Sequence, residues 1–282
     1  SSTYYSEAII NSGEANISNA KIGGSKLEIY NGITKIENST INGNITISRG
    51  SMTITTSNLS GTITNNNDAE INIIDSTITS YIRNEKSGTM TLEGTTVNTS
   101  SSYGIYNGST GTIWIKSGTV KATGSSTSMS SSYSGIFNSS TGTVMIGEKD
   151  GNVNSDSPDI SGTQYGVYLN NASGKLYFYD GILKGKVNAK NVTPIEIEEG
   201  YELIEERDEE TQIEKAYISQ PLSAVKMNNV EYKNFKELSD KIATLDDNQQ
   251  TTVEILRNIS LLENGVGLTI PENKNIEVDL KG

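Results

Sequence analysis

The feature that most constrains this chain is an internal repeat of short apolar runs. Taking the first apolar residue of each unit gives Ile9, Leu27, Ile45, Ile63, Ile82, Ile105, Ile136 and Val167, with steps of 18, 18, 18, 19, 23, 31 and 31 residues. A second run follows in each unit (Ile36, Ile54, Ile73, Leu92, Ile115, Ile146, Phe178), and a third about five residues later (Ile41, Leu59, Ile78, Val97, Val120, Leu183). The longest units share a template: Gly104-Ile-Tyr-Asn107, Gly111-Thr-Ile-Trp-Ile115, Gly118-Thr-Val120; then Gly135-Ile-Phe-Asn138, Gly142-Thr-Val-Met-Ile146, Gly151-Asn-Val153; then Gly166-Val-Tyr-Leu169, Gly174-Lys-Leu-Tyr-Phe178, Gly181-Ile-Leu183. Apolar and polar residues alternate within the runs, the period of a β-strand. Three strands in 18 residues leave loops too short for hairpins, whereas stacked coils let each strand pair in parallel with its equivalent above and below, about 4.8 Å away. The spacing therefore predicts a solenoid of about eight coils, roughly 40 Å long. The lack of proline before Pro158 agrees, because proline deletes a ladder hydrogen bond.

Composition alone points elsewhere. Ser, Thr and Asn supply 96 of 282 residues and only 33% are hydrophobic, which suits a disordered linker. The alternation overrides that reading. The chain has no Cys and no His, which excludes zinc fingers, disulfide frameworks, haem ligation, a Cys nucleophile and a His base; no metal and no cofactor are expected. A net charge of −12 argues against nucleic acid and anionic lipid as partners. No run approaches 18 apolar residues, so no membrane insertion is expected in this segment, and residues 1–10 lack the basic flank and apolar core of a signal peptide. A targeting sequence, if there is one, is expected outside this chain.

The apolar markers Ile45, Ile54, Leu59 and Ile63 are spaced by 9, 5 and 4, unlike the strict six-residue period of a left-handed helix. On this coil pattern, over residues 7 to 190, the chain resembles the right-handed parallel β-helix superfamily, which holds pectate-lyase-like enzymes and many bacterial surface adhesins. The resemblance rests on the coils and on no catalytic motif. It implies an all-β fold, a right-handed single-stranded parallel β-helix, and an extracellular or cell-surface location.

Two residues beyond the marker, four consecutive coils carry Asn65, Asn84, Asn107 and Asn138, an inward asparagine ladder in which stacked carboxamides satisfy one another. The outward position between reads Ile10, Glu28, Thr46, Thr64, Arg83, Tyr106, Phe137 and Tyr168, polar early and aromatic late. The second strand does the same with Lys35, Thr53, Asn72, Thr91, Trp114, Met145 and Tyr177, and Tyr103, Tyr133 and Tyr165 lie just upstream. Two readings stay open: the enlarged loops or the following segment fold over the stripe as a satellite core, or Tyr106, Trp114, Phe137, Tyr168 and Tyr177 form a ligand-binding platform for sugars or a protein. Threonine pairs such as Thr53 with Thr55 and Thr62 with Thr64 fall on different strands, unlike the ranks of an ice-binding face. The oxygen-rich stretch 148–159 suits a turn, with calcium as the alternative. Asp68, Glu70, Asp75, Arg83 and Glu93 scatter over strand positions, with no pair in register for a lyase-type site. Asn-x-Ser/Thr sequons such as Asn44-Ile-Thr46 are expected by chance.

Near Ile195 the chain changes. Residues 195 to 215 hold ten acids against Arg207 and Lys215, −8 of the net −12, while the repeat up to Pro194 has 14 acids and 13 bases. Alternating Ile195, Ile197, Tyr201 and Leu203 predict a small β-element with a charged turn that keeps an end-cap or edge unpaired. Beyond Gln220, Val225 to Tyr232 reads as strand and turn, Phe235, Leu238, Ile242 and Leu245 as a helix, and residues 252–256, 268–270 and 276–280 as strands. The expected domains are thus a β-helix at 1–190, an acidic connector at 191–220, and a small α+β module at 221–282 that looks like the start of a further β-helix in a longer chain. The functional expectation is a non-catalytic, monomeric segment of a bacterial cell-surface protein, a stalk or adhesin with host or microbial glycans or matrix proteins as partners. The competing expectation is a carbohydrate-active enzyme of the polysaccharide lyase type.

Overall fold

The computed structural model describes residues 7–10, 13–23, 26–124, 133–149, 157–191, 195–198, 201–218, 225–232, 235–247, 250–255 and 268–279. The chain divides into two compact units, Ser1–Glu198 with Leu203–Ile218, and Glu199–Glu202 with Ser219–Gly282. The first is a stack of short parallel strands in three sheets, solenoid-like and compatible with a parallel β-helix. Sheet A runs from Glu7–Ile10 through eight further strands to Asn188–Lys190. Sheet B runs from Glu14–Ser18 to Lys175–Phe178, and sheet C from Lys21–Ile22 to Ile182–Gly185.

From Leu27 onward each apolar marker pairs with its equivalent one coil away; in the first coil the partner of Leu27 is Ala8, one residue before the expected marker Ile9, which pairs with Glu28. Ile45, Ile63, Ile82, Ile105, Ile136 and Val167 are successive register partners on sheet A, and all are fully buried. Ile36, Ile54, Ile73, Leu92, Ile115, Ile146 and Phe178 do the same on sheet B. Burying one such side chain contributes about 1.5–3 kcal/mol, so repetition makes up for the small number of aromatics in the interior.

Turns stack as regularly as strands. Between sheets B and C, Asn38, Thr56 and Asp75 hold positive φ (46°, 49° and 48°), each followed by a buried serine. Ser39, Ser57 and Ser76 donate their hydroxyls to the carbonyl two residues back, at 2.8 Å. Ser57 and Ser76 also accept the amide of the serine one coil earlier, at 3.1 Å. Backbone groups that the sheets cannot reach are thereby satisfied.

The third strand of one coil departs from the sequence template. It is Asp159–Ser161, paired with Gly118–Ala122 and Ile182–Gly185, and it buries Ile160. Gly151-Asn-Val153 lies outside the described residues. Sheet C also ends differently from the others. Ile213–Ile218 pairs antiparallel with Ile182–Gly185, and Leu203–Asp208 pairs antiparallel with Ile213–Ile218, so the acidic segment forms a hairpin that continues sheet C. Lys190, in the row of buried isoleucines, extends its ammonium to Glu205 on that hairpin at 3.0 Å.

The second unit contains a hairpin (Val225–Met227, Val230–Tyr232), the helix Phe235–Ile242, and strands Gln250–Ile255 and Asn275–Asp279. Val225, Met227, Leu238, Ile242 and Val253 form its core. The strand expected at 268–270 is not formed: the Thr269 amide donates to Ser239 Oγ at 2.9 Å, while Leu268 packs on the core. Among the described residues no helix is long and apolar enough to cross a membrane.

Candidate functional site

Period-two alternation turns every second residue of a strand outward, and parallel register then stacks these residues into columns. On sheet A, Arg83, Tyr106, Phe137 and Tyr168 are successive partners, each half-buried. The Tyr106 and Phe137 centroids are 5.9 Å apart with planes 23° from parallel, and those of Phe137 and Tyr168 are 5.8 Å apart at 16°. Near-parallel rings at these separations form a row of strongly offset stacks, a geometry worth about 0.5–1.5 kcal/mol per pair.

The ends of the column are occupied as well. The Arg83 guanidinium sits 5.1 Å from the Tyr106 centroid and is ion-paired with Glu85. Tyr165 meets Tyr168 edge-on at 4.8 Å. Tyr103 flanks Tyr106 at 5.3 Å, and Tyr81 meets Tyr103 edge-on at 5.4 Å. Burial raises the Tyr103 hydroxyl above the ordinary tyrosine value, with Arg83 working in the opposite direction. Ser139 donates to the Tyr106 hydroxyl at 3.2 Å.

Trp114 and Tyr177 stand apart from this column, on sheet B, aligned through Met145. The Trp114 indole donates Nε1–H to the Gly147 carbonyl at 2.9 Å, which fixes its orientation. Lys116, two residues on and on the same face, places Nζ 4.7 Å from the indole centroid and pairs with Glu148 at 3.0 Å and Glu93 at 3.8 Å. The hydrogen bond with Glu148 raises the Lys116 pKa against the pull of burial, so the ammonium is retained. Tyr177 leans on Tyr179 at 6.1 Å. The five candidate residues therefore fall into two groups: Tyr106, Phe137 and Tyr168 on sheet A, and Trp114 and Tyr177 on sheet B. Of their cationic neighbours, Arg83 was visible in the sequence as an outward residue, whereas Lys116 was missed, since a lone lysine two residues after Trp114 carries no signal of where its charge lies.

Of the carboxylates singled out in the sequence, Glu70 and Glu93 line one trough on sheet B without being register partners. Arg83 pairs with Glu85 on sheet A, and Asp68 lies 3.7 Å from Arg49. Among the described residues no three acids gather where they could hold a metal ion. The centre of the 148–159 stretch, residues 150–156, lies outside the described residues; at its ends Glu148 pairs with Lys116, and Asp159 with Lys184 at 2.8 Å. Comparison of the chain with protein-family models, with curated proteins and with solved structures finds no match.

Proposed function

We propose that the chain is a non-catalytic, extracellular segment of a bacterial cell-surface protein, a right-handed parallel β-helix that serves as stalk or adhesin. In this reading the partner, a glycan or a matrix protein, docks on the aromatic residues of the last coils. The observation that carries it is the change of character along one column: sheet A is polar outward through Thr46 and Thr64, then presents Tyr106, Phe137 and Tyr168 in succession. Rings held by their neighbours in fixed orientations lose little entropy on binding, the property that makes aromatics effective contact residues. The second unit, in the same proposal, begins a further β-helix.

The test is a screen of the chain against arrays of glycans and extracellular-matrix proteins. Saturable binding to at least one class is expected, reduced at least tenfold in the triple variant Tyr106→Ala, Phe137→Ala, Tyr168→Ala, since loss of an aromatic hot spot costs about 2 kcal/mol or more. Absence of any binder, or undiminished binding by the triple variant, would remove the proposal.

A further inference from the structure

We infer that the trough beside Trp114 on sheet B is a subsite for one neutral pyranose ring of a glycan. The inference names a ligand class for the surface-binding reading above and rests on it. Asn72, Thr91 and Trp114 are register partners on three adjacent strands. Parallel strands lie about 4.8 Å apart, so Asn72 and Trp114 form walls roughly 10 Å apart with the short Thr91 as floor. The trough holds about 250 Å³, is open to solvent on one side, and counts Glu70, Glu93 and Lys116 among its lining. That is below the ~300–1,000 Å³ of sites for drug-sized ligands, a size suited to a single sugar ring.

The lining has the two parts that a pyranose requires. Its C–H face matches the indole surface left beside the Lys116 ammonium, which sits 4.7 Å from the ring centroid, and the only polar hydrogen of the indole is already committed to Gly147. Its hydroxyls match a set rich in acceptors: Asn72 donates to Glu70 at 3.1 Å, leaving the Asn72 carbonyl oxygen and the second Glu70 oxygen to receive hydroxyl protons, with the Thr91 hydroxyl below and Glu93 beside them. Lys116, held by Glu93 and Glu148, supplies a donor at the Trp114 end. Two carboxylates against one ammonium in the lining make the trough acidic, which disfavours uronates and sulfated sugars and selects a neutral ring.

Trp114 is the only tryptophan of the chain, so its emission reports this trough directly. The chain would be titrated with methyl glycosides of neutral hexoses and N-acetylhexosamines, and in parallel with methyl glucuronide and arginine amide. A saturable emission change with at least one neutral pyranoside is expected, at half-saturation on the order of 1 mM. Asn72→Ala should weaken it about five- to tenfold, the loss of one hydrogen bond, and Thr77→Ala, at an exposed position on sheet C, should leave it unchanged. No response to any neutral pyranoside, a response confined to glucuronide or to arginine amide, or one indifferent to both Asn72→Ala and Glu93→Gln would overturn the inference. Array binding lost in the sheet A triple variant without any Trp114 response would overturn this subsite alone and leave the surface reading standing.

Discussion

At the residue scale, the most informative side chains are the buried asparagines. Asn107 donates to the Gly111 carbonyl at 2.8 Å and to Asn138 Oδ1 at 3.0 Å, and accepts from Asn84 Nδ2 at 3.1 Å. A Cβ on Gly111 would lie 2.2 Å from Asn84 Nδ2 and 2.6 Å from the Gly88 carbonyl oxygen. The glycine four residues after Asn84, Asn107 and Asn138 is thus demanded by the asparagine of the coil before, whereas after Asn65, stacked on Ile47, the position is Ala69; the two residue types form one device. Asn107→Ala should destabilise the fold by about 2–4 kcal/mol, because several buried polar groups lose partners together. Gly111→Ala should cost about 1–3 kcal/mol through overpacking. Both would appear as lowered urea midpoints; a midpoint unchanged in Asn107→Ala would show that the ladder contributes nothing. The inward asparagines were legible from two-residue periodicity. The glycine coupling was legible only as a recurrence, since nothing in one coil's sequence states which side chain of the previous coil fills the space.

At the scale of elements, strand positions were legible wherever coils kept a constant turn. They were lost where a turn changed chemistry. Gly118 and Gly181 hold positive φ in corresponding turns, and Pro158 takes that place in the coil between them, so a search for glycine followed by an apolar residue arrives at Gly151 instead. The acidic segment was legible as a charged β-element, but its antiparallel pairing was not, because two alternating runs around a turn do not specify which sheet they extend. In the structure Leu203–Asp208 is the outermost strand of sheet C, and Glu205, Glu206 and Asp208 line it. Acidic side chains on an edge oppose pairing with another chain. Glu205 also pairs with Lys190, whose side chain is 8% exposed against 52% for Glu205. Glu205→Gln should therefore cost about 1–2 kcal/mol, a buried-pair loss discounted for the exposure of the carboxylate. Glu205→Val with Glu206→Val should in addition promote concentration-dependent association, read by light scattering. A variant that stays monomeric at every concentration would show that the charges do not protect this edge.

At the scale of the whole first unit, register governs everything else. The isoleucine rows, the asparagine ladder, the aromatic column and the Trp114 trough exist only if each coil sits one-to-one over the last, including across the coils that the sequence lengthens from 18 to 31 residues. A slip of one residue would turn each outward ring into the core and each isoleucine to solvent. The aromatic positions were legible in the sequence for the same reason: alternation fixed which residues face outward. Their mutual stacking was not, because ring orientation depends on contacts between coils about 30 residues apart. Absence of cysteine from the chain makes register directly measurable. Thr112 and Thr143 are partners on sheet B on either side of the long insertion, whereas Met145 is two residues out of register. The decisive measurement is oxidative cross-linking of paired cysteines, since a disulfide needs Cα atoms about 4.4–6.8 Å apart. The account predicts rapid, quantitative closure in the variant Thr112→Cys, Thr143→Cys and little in Thr112→Cys, Met145→Cys; efficient closure of the second pair with failure of the first would contradict it.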